Sequence, residues 1–126
     1  MKKAITVIAA VVSLAAGGSA VASPVGSWQV KHYDFVKGTY INTVQICLNV
    51  DGTFRSGGWS GYWALSQSGA YVMSREAEAG GVGVGADVAN VVSDDLMTGF
   101  NESWPSQNLS GGYYTVSIWT RLSQTC

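Results

Sequence analysis

Apolar residues recur at every second position along most of this chain, and glycine, sixteen residues of 126, interrupts nearly every stretch that could otherwise sustain a helix. A period of two places alternate side chains on opposite faces of an extended strand, so this pattern excludes a helical domain and points to an all-β one. The clearest stretch is Tyr40 to Val50. There Tyr40, Val44, Ile46, Leu48 and Val50 share one face, and Thr43, Gln45 and Asn49 share the other. Asp51-Gly52 follows, a dipeptide suited to the positive φ angles of a tight hairpin, and Thr53-Phe54-Arg55 begins the return strand.

The same rhythm continues through Gly26 to Phe35, Gly61 to Ser66, Ala70 to Arg75, Ala86 to Val92, Leu96 to Glu102 and Tyr113 to Leu122. Glu76 to Ala79 alone has helix-forming composition, and it is too short to nucleate a helix unaided, so a turn or a single helical turn is expected there. About eight short sequential strands with hairpin-length links predict an antiparallel up-and-down β-barrel, which leaves no exposed sheet edge; the alternative is a two-sheet β-sandwich. On the last strand the parity is ambiguous. Tyr114, Val116 and Ile118 propose one inward face, whereas Trp119 and Arg121 propose the other.

Residues 1–22 have the form of a cleaved secretory signal: Lys2 and Lys3, an uncharged apolar run from Ala4 to Ala16, a break at Gly17-Gly18-Ser19, and Ala20-Val21-Ala22 as a small-residue cleavage site. The apolar run is shorter than the roughly 20 residues that span a bilayer, and no lipid-anchor cysteine follows it. A periplasmic or extracellular single domain, residues 23–126, is therefore expected. In an oxidising compartment Cys47 and Cys126, the only two cysteines, are expected to form a disulfide. It would enclose about 80 residues and stabilise the fold by ~3–4 kcal/mol. In an eight-stranded meander the second and eighth strands run the same way, which brings both cysteines near one end of the barrel. Loss of Lys2 and Lys3 leaves five basic residues against eight acidic ones, a net charge of −3, so neither nucleic acid nor an anionic membrane surface is an expected partner.

No metal constellation, nucleotide loop or cofactor motif is present. Two cysteines and one histidine do not make a zinc site, and Gly80 to Gly85 has neither a lysine nor the spacing of a phosphate loop. That segment is expected to form a flexible loop at a barrel mouth or a bend in a curved strand. His32 and Asp34, two apart on one strand, could pair an imidazole with a carboxylate, but no nucleophile accompanies them and surface positions are expected. Glu76 and Glu78 are expected to be solvated charges in an exposed turn. The aromatic set Tyr40, Phe54, Trp59, Trp63, Phe100 and Tyr114 could line a small apolar pocket; an eight-stranded barrel is just wide enough to be filled or to hold one small ligand, and strands this short favour core packing. Trp104-Pro105 and Tyr113-Tyr114 lie beside loops, where exposed aromatics would mark a protein-binding surface.

Gly26-Ser27-Trp28 at the start of the first strand and Trp119-Thr120-Arg121 on the last resemble the G-x-W opening and late arginine of the calycins, the lipocalin and avidin superfamily. Leu48 to Phe54, Gly61-Tyr62-Trp63 and Met97-Thr98-Gly99 resemble small exported bacterial lipocalin-like domains. The resemblance implies a barrel in which Arg121 packs over Trp28 at the closed end, a cation–π contact of ~1 kcal/mol. The chain is shorter than a typical lipocalin and has no avidin-like set of polar biotin ligands. The expected function is non-enzymatic binding of a small apolar or amphipathic ligand, with Tyr40, Phe54, Trp63, Phe100 and Tyr114 as candidate contacts. The alternative is a protein-binding module, for instance a periplasmic inhibitor of a secreted hydrolase. A small β-barrel cyclase or isomerase would require His32, Asp34 or Arg55 to line one polar cavity.

Overall fold

The computed structural model describes residues 23–104 and 112–126. The expected signal, 1–22, and Pro105 lie outside the described residues. Eight strands follow in order: β1 (Gly26–Asp34), β2 (Tyr40–Leu48), β3 (Thr53–Ser56), β4 (Trp59–Leu65), β5 (Tyr71–Glu78), β6 (Val84–Ser93), β7 (Leu96–Trp104) and β8 (Tyr113–Ser123). Each pairs antiparallel with the next, and β1 pairs with β8, closing the barrel. Closure decides for the barrel against the sandwich. It also removes both free edges of the sheet.

Alternation sets the interior. Val44, Ile46 and Leu48 of β2 face inward, with Trp28 and Val30 beside them on β1, where Trp28 pairs with Ile46 and Val30 with Val44. Phe54, Val72, Ala89, Met97 and Trp119 complete a buried core at one end. That end is closed. It holds the start of β1, the β2–β3, β4–β5 and β6–β7 links, and the end of β8. The link after β2 differs from the two-residue turn expected. Asn49 to Gly52 form a four-residue loop with a Gly52 N–H to Asn49 carbonyl bond of 3.1 Å. Gly52 alone takes a positive φ, 83°, and Val50 is exposed. A β-turn over Asn49 to Gly52 that ends in a left-handed glycine needs only one such residue, so Asp51 need not leave the ordinary region.

Two further elements differ from expectation. Glu76 to Glu78 extend β5 and form neither a turn nor a helical turn, because each pairs with β4: Gly61 with Glu76, Ser60 with Ala77 and Trp59 with Glu78. Cross-strand pairing outweighs the weak helical preference of two glutamates and two alanines. On β8, Thr115, Ser117 and Trp119 are buried while Tyr114, Val116 and Ile118 are exposed. The β7–β8 register is continuous, so no bulge intervenes.

Arg121 locks the closed end. Its guanidinium carbon lies 4.3 Å from the centre of a Trp28 ring. Its Nε donates to the Asp94 carbonyl at 2.6 Å, Nη1 to that of Val25 at 2.7 Å, and Nη2 to that of Ser23 at 2.8 Å. Trp28 is itself fixed by donation from Nε1 to the Pro24 carbonyl at 2.8 Å. Beside them the Cys47–Cys126 disulfide ties β2 to the segment after β8, with Cα atoms 5.6 Å apart. Gly26 has a φ of 130°, and a side chain there would run into the Ser123 carbonyl. Replacing Arg121 with Leu keeps apolar cover but strands these carbonyls. Urea unfolding of Arg121→Leu should show a loss of about 2–4 kcal/mol relative to the parent chain; a loss below about 0.5 kcal/mol would mean the clamp is ornamental.

Candidate functional site

Above the apolar core the interior opens into a cavity of about 330 Å³. The register of β5 to β8 stacks its wall in rows. Nearest the core run Val72, Ala89, Gly99 and Ser117; next come Ser74, Asp87, Asn101 and Thr115; nearest the mouth are Glu76, Gly85, Ser103 and Tyr113. The opposite wall carries His32, Asn42, Val44, Ile46, Ser56 and Trp59. The carboxyl groups stand on the β5 to β8 side, while the opposite wall mixes Val44, Ile46 and the Trp59 ring with His32, Asn42 and Ser56. Small inward residues leave the space. A side chain added at Gly85 would come within 2.8 Å of Glu76 Oε1, and one at Gly83 within 2.6 Å of the Trp59 ring. These glycines of the Gly80 to Gly85 segment make room for Glu76 and Trp59, and Gly80, with a φ of 71°, makes the turn between β5 and β6.

Two carboxyl groups meet in this wall. Asp87 is 5% exposed; Oδ1 accepts from Asn101 Nδ2 at 2.9 Å and Oδ2 from Ser74 Oγ at 3.2 Å. Burial pushes the Asp87 carboxyl up, opposed by the bonds from Asn101 and Ser74 and by the charge of His32. Glu76 is pushed up to about 7, by burial first and then by the like charge of Asp87, with an Asn101 hydrogen bond acting the other way. Among the described residues no lysine or arginine lines the cavity. His32 Nδ1 is hydrogen-bonded to Asn42 Oδ1 at 2.8 Å. Thr115 is 8% exposed, and its buried hydroxyl has no hydrogen-bond partner. Among the described residues no three His, Cys, Asp or Glu side chains converge as a metal site.

The five aromatic candidates do not come together. Phe54 is buried in the closed-end core and Trp63 packs against it, donating Nε1 to the Asn49 carbonyl at 2.9 Å. Tyr40, Phe100 and Tyr114 stand on the outer wall. For Tyr40 the cause is the irregularity between β1 and β2, where His32 pairs with Asn42 but Tyr33 pairs with Tyr40. The skipped residue, Ile41, inverts the parity expected from Val44, and Tyr40 packs edge-on to Tyr33 at 6.0 Å. Phe100 stacks near Tyr114 at 6.1 Å. Of the wider aromatic set, Trp59 alone lines the cavity.

His32 reaches the cavity without Asp34, whose carboxylate accepts from the Val36 and Lys37 N–H groups at 2.9 and 2.7 Å in the β1–β2 turn. Arg55 is exposed beside Cys47 on the outer wall. The expectation that Glu76 is a solvated turn residue is corrected: it is an inward strand residue of the cavity. Asp87, Asn101 and Thr115 were not singled out by sequence. The usable signal was alternation carried through Val72, Ser74 and Glu76 and through Gly83, Gly85 and Asp87, with glycines facing the long side chains.

Comparison with protein-family models, curated proteins and solved structures finds no match. The barrel is compatible with a lipocalin-like fold, and the disulfide is consistent with an oxidising compartment. Chemically, the site offers an apolar pocket ending in two carboxyl groups, one of which titrates near neutrality. Glu76 binds its proton more tightly folded than unfolded, so its contribution is most favourable below its ordinary value of 4.5 and is lost as pH rises through about 7. Stability should therefore fall between these pH values. Glu76→Gln should flatten that decline in urea titrations across the window; an unchanged slope would rule out Glu76 as its source.

Proposed function

We propose that this chain is an exported, lipocalin-like, non-enzymatic binding protein that takes a small amphipathic molecule into the cavity at the open end of its barrel. One observation carries the reading: the interior is packed only at the closed end, and the remaining space is about 330 Å³, within the size range of small-molecule sites. Its lining divides between Val44, Ile46 and Trp59 on one wall and Glu76, Asp87, Asn101 and Thr115 on the other. Apolar surface supplies affinity in such sites, while a few convergent polar groups fix orientation. The Arg121 and Trp28 arrangement supports the calycin resemblance, and the disulfide supports export.

A second reading has its own observation. The outer wall of β5 to β8 exposes Tyr71, Val88, Val116 and Ile118, with Phe100 among them, and contiguous exposed apolar surface of this kind marks protein contacts. This favours a protein-binding module, such as an inhibitor of a secreted hydrolase. Alternation separates the two readings cleanly. Ser56 faces the cavity, and Ile118 faces out. Titration with the uncharged fluorophore N-phenylnaphthylamine should give saturable one-site binding that Ser56→Phe reduces by about tenfold or more and Ile118→Arg leaves intact. Saturable binding that is lost only in Ile118→Arg would move the function to the outer wall.

A further inference from the structure

The row Ser74, Asp87, Asn101, Thr115 forms a belt of directly paired positions across four strands. Its internal bonds run toward Asp87: Ser74 donates to one carboxylate oxygen and Asn101 to the other. The fourth member, Thr115, is more than nine-tenths buried, lines the cavity and has no partner. A buried hydroxyl without a partner costs roughly 1–3 kcal/mol, so the belt is complete only when something in the cavity bonds to it.

The charge around that hydroxyl defines what this something is. Glu76 stands one row toward the mouth from Asp87, and among the described residues no lysine or arginine lines the cavity. Buried carboxylates are ordinarily paired with a cation. Among the described residues the only basic lining side chain is His32; its Nδ1 is hydrogen-bonded to Asn42 and its charge acts on Asp87, which leaves Glu76 without a cation. An anion would meet like charge. A neutral ligand would leave the carboxylate charge uncompensated. Facing the acidic wall are Val44, Ile46 and the ring of Trp59, a surface for an apolar or aromatic skeleton and, at Trp59, for cation–π contact.

We infer that the ligand is a small organic cation, a protonated primary or secondary amine on an apolar or aromatic skeleton, with its ammonium group held by Glu76 and Asp87 and one N–H donated to Thr115 Oγ1. This rests on the cavity being the binding site proposed above, and it names the chemical class that site takes. The ammonium replaces the missing counter-charge and supplies the missing donor in one group. Charge-assisted bonds of this kind are about twice as strong as neutral ones.

Three probes of one shape separate the cases by calorimetry: phenethylamine, phenethyl alcohol and phenylacetate, at a pH above about 7, where Glu76 is ionised. The amine should bind at least about tenfold more tightly than the alcohol, and phenylacetate should not bind. Glu76→Gln should reduce the preference for amine over alcohol severalfold. Thr115→Val should weaken the amine while raising the urea stability of the unliganded protein, since it removes a hydroxyl that has no partner. A purely structural Thr115 would not move both quantities in opposite directions. If the alcohol binds as tightly as the amine and Ser56→Phe abolishes it, the cavity is a binding site and the cation assignment is wrong. If N-phenylnaphthylamine binds but none of the three probes does, the cation assignment likewise fails. If nothing saturates, the binding reading itself is overturned.

Discussion

The guanidinium of Arg121 covers Trp28 at 4.3 Å and donates to carbonyls of residues 23, 25 and 94, and much of the molecule depends on this arrangement. An antiparallel barrel of eight strands is held around its circumference by the ladders, but at its ends the loops supply carbonyls with no ladder partner. Arg121 answers several of these at once from β8, joining the segment before β1 to the β6–β7 turn across the closure seam. A planar group with five donors suits this geometry, and a lysine would satisfy fewer of the same acceptors. The disulfide acts at the same end. Together they hold the segment before β1 and the segment after β8 at the closed end.

That anchoring explains why the opposite half of the interior can depart from the rules for a core. Nine buried apolar side chains are concentrated near the closed end, including two tryptophans, and they exclude water there. Further along the same strands the inward positions become Ser74 and Glu76 on β5, Gly85 and Asp87 on β6, Asn101 and Ser103 on β7, and Thr115 on β8. The change happens over one or two pleats. Placing two carboxyl groups and an unpartnered hydroxyl in one cavity lowers stability, as the upward shifts of both acids indicate. These departures from core packing fall together on one side of the barrel interior, around the same cavity.

Much of the fold was readable in the sequence, because period-two alternation and turn glycines act locally. β2 and its return strand, the count of strands and the antiparallel order follow from such signals, whereas the cysteine pair was expected from the form of residues 1–22. The site was less readable, for three identifiable reasons. The skipped Ile41 inverts the direction of Tyr40 without any change in composition. The helical composition of Glu76 to Ala79 conceals the extension of β5, whose cause lies in β4 and not in the segment itself. On β8 the two faces are both apolar in part, so Val116 and Ile118 compete with Trp119 for the interior. Only the neighbouring strands settle that contest. Side-chain volume offered a clue that hydrophobicity did not: Gly83, Gly85 and Gly99 occupy inward positions where larger residues would have filled the barrel.

The same alternation gives the barrel two chemically independent surfaces. The outward face of β5 to β8 presents Tyr71, Val88, Phe100, Val116 and Ile118, whereas that of β1 to β3 presents Gln29, Lys31, Thr43, Gln45 and Arg55. A lipid-facing barrel requires an apolar band around its whole circumference. Here Lys31, Thr43, Gln45 and Arg55 interrupt such a band on β1 to β3, although Tyr40 and Tyr62 stand exposed on β2 and β4. A substitution on that wall points away from Glu76 and Asp87, because adjacent residues of a strand face opposite sides. The two surfaces can therefore serve different molecules without competing, and occupancy of the cavity reaches the wall only through strain in the shared backbone.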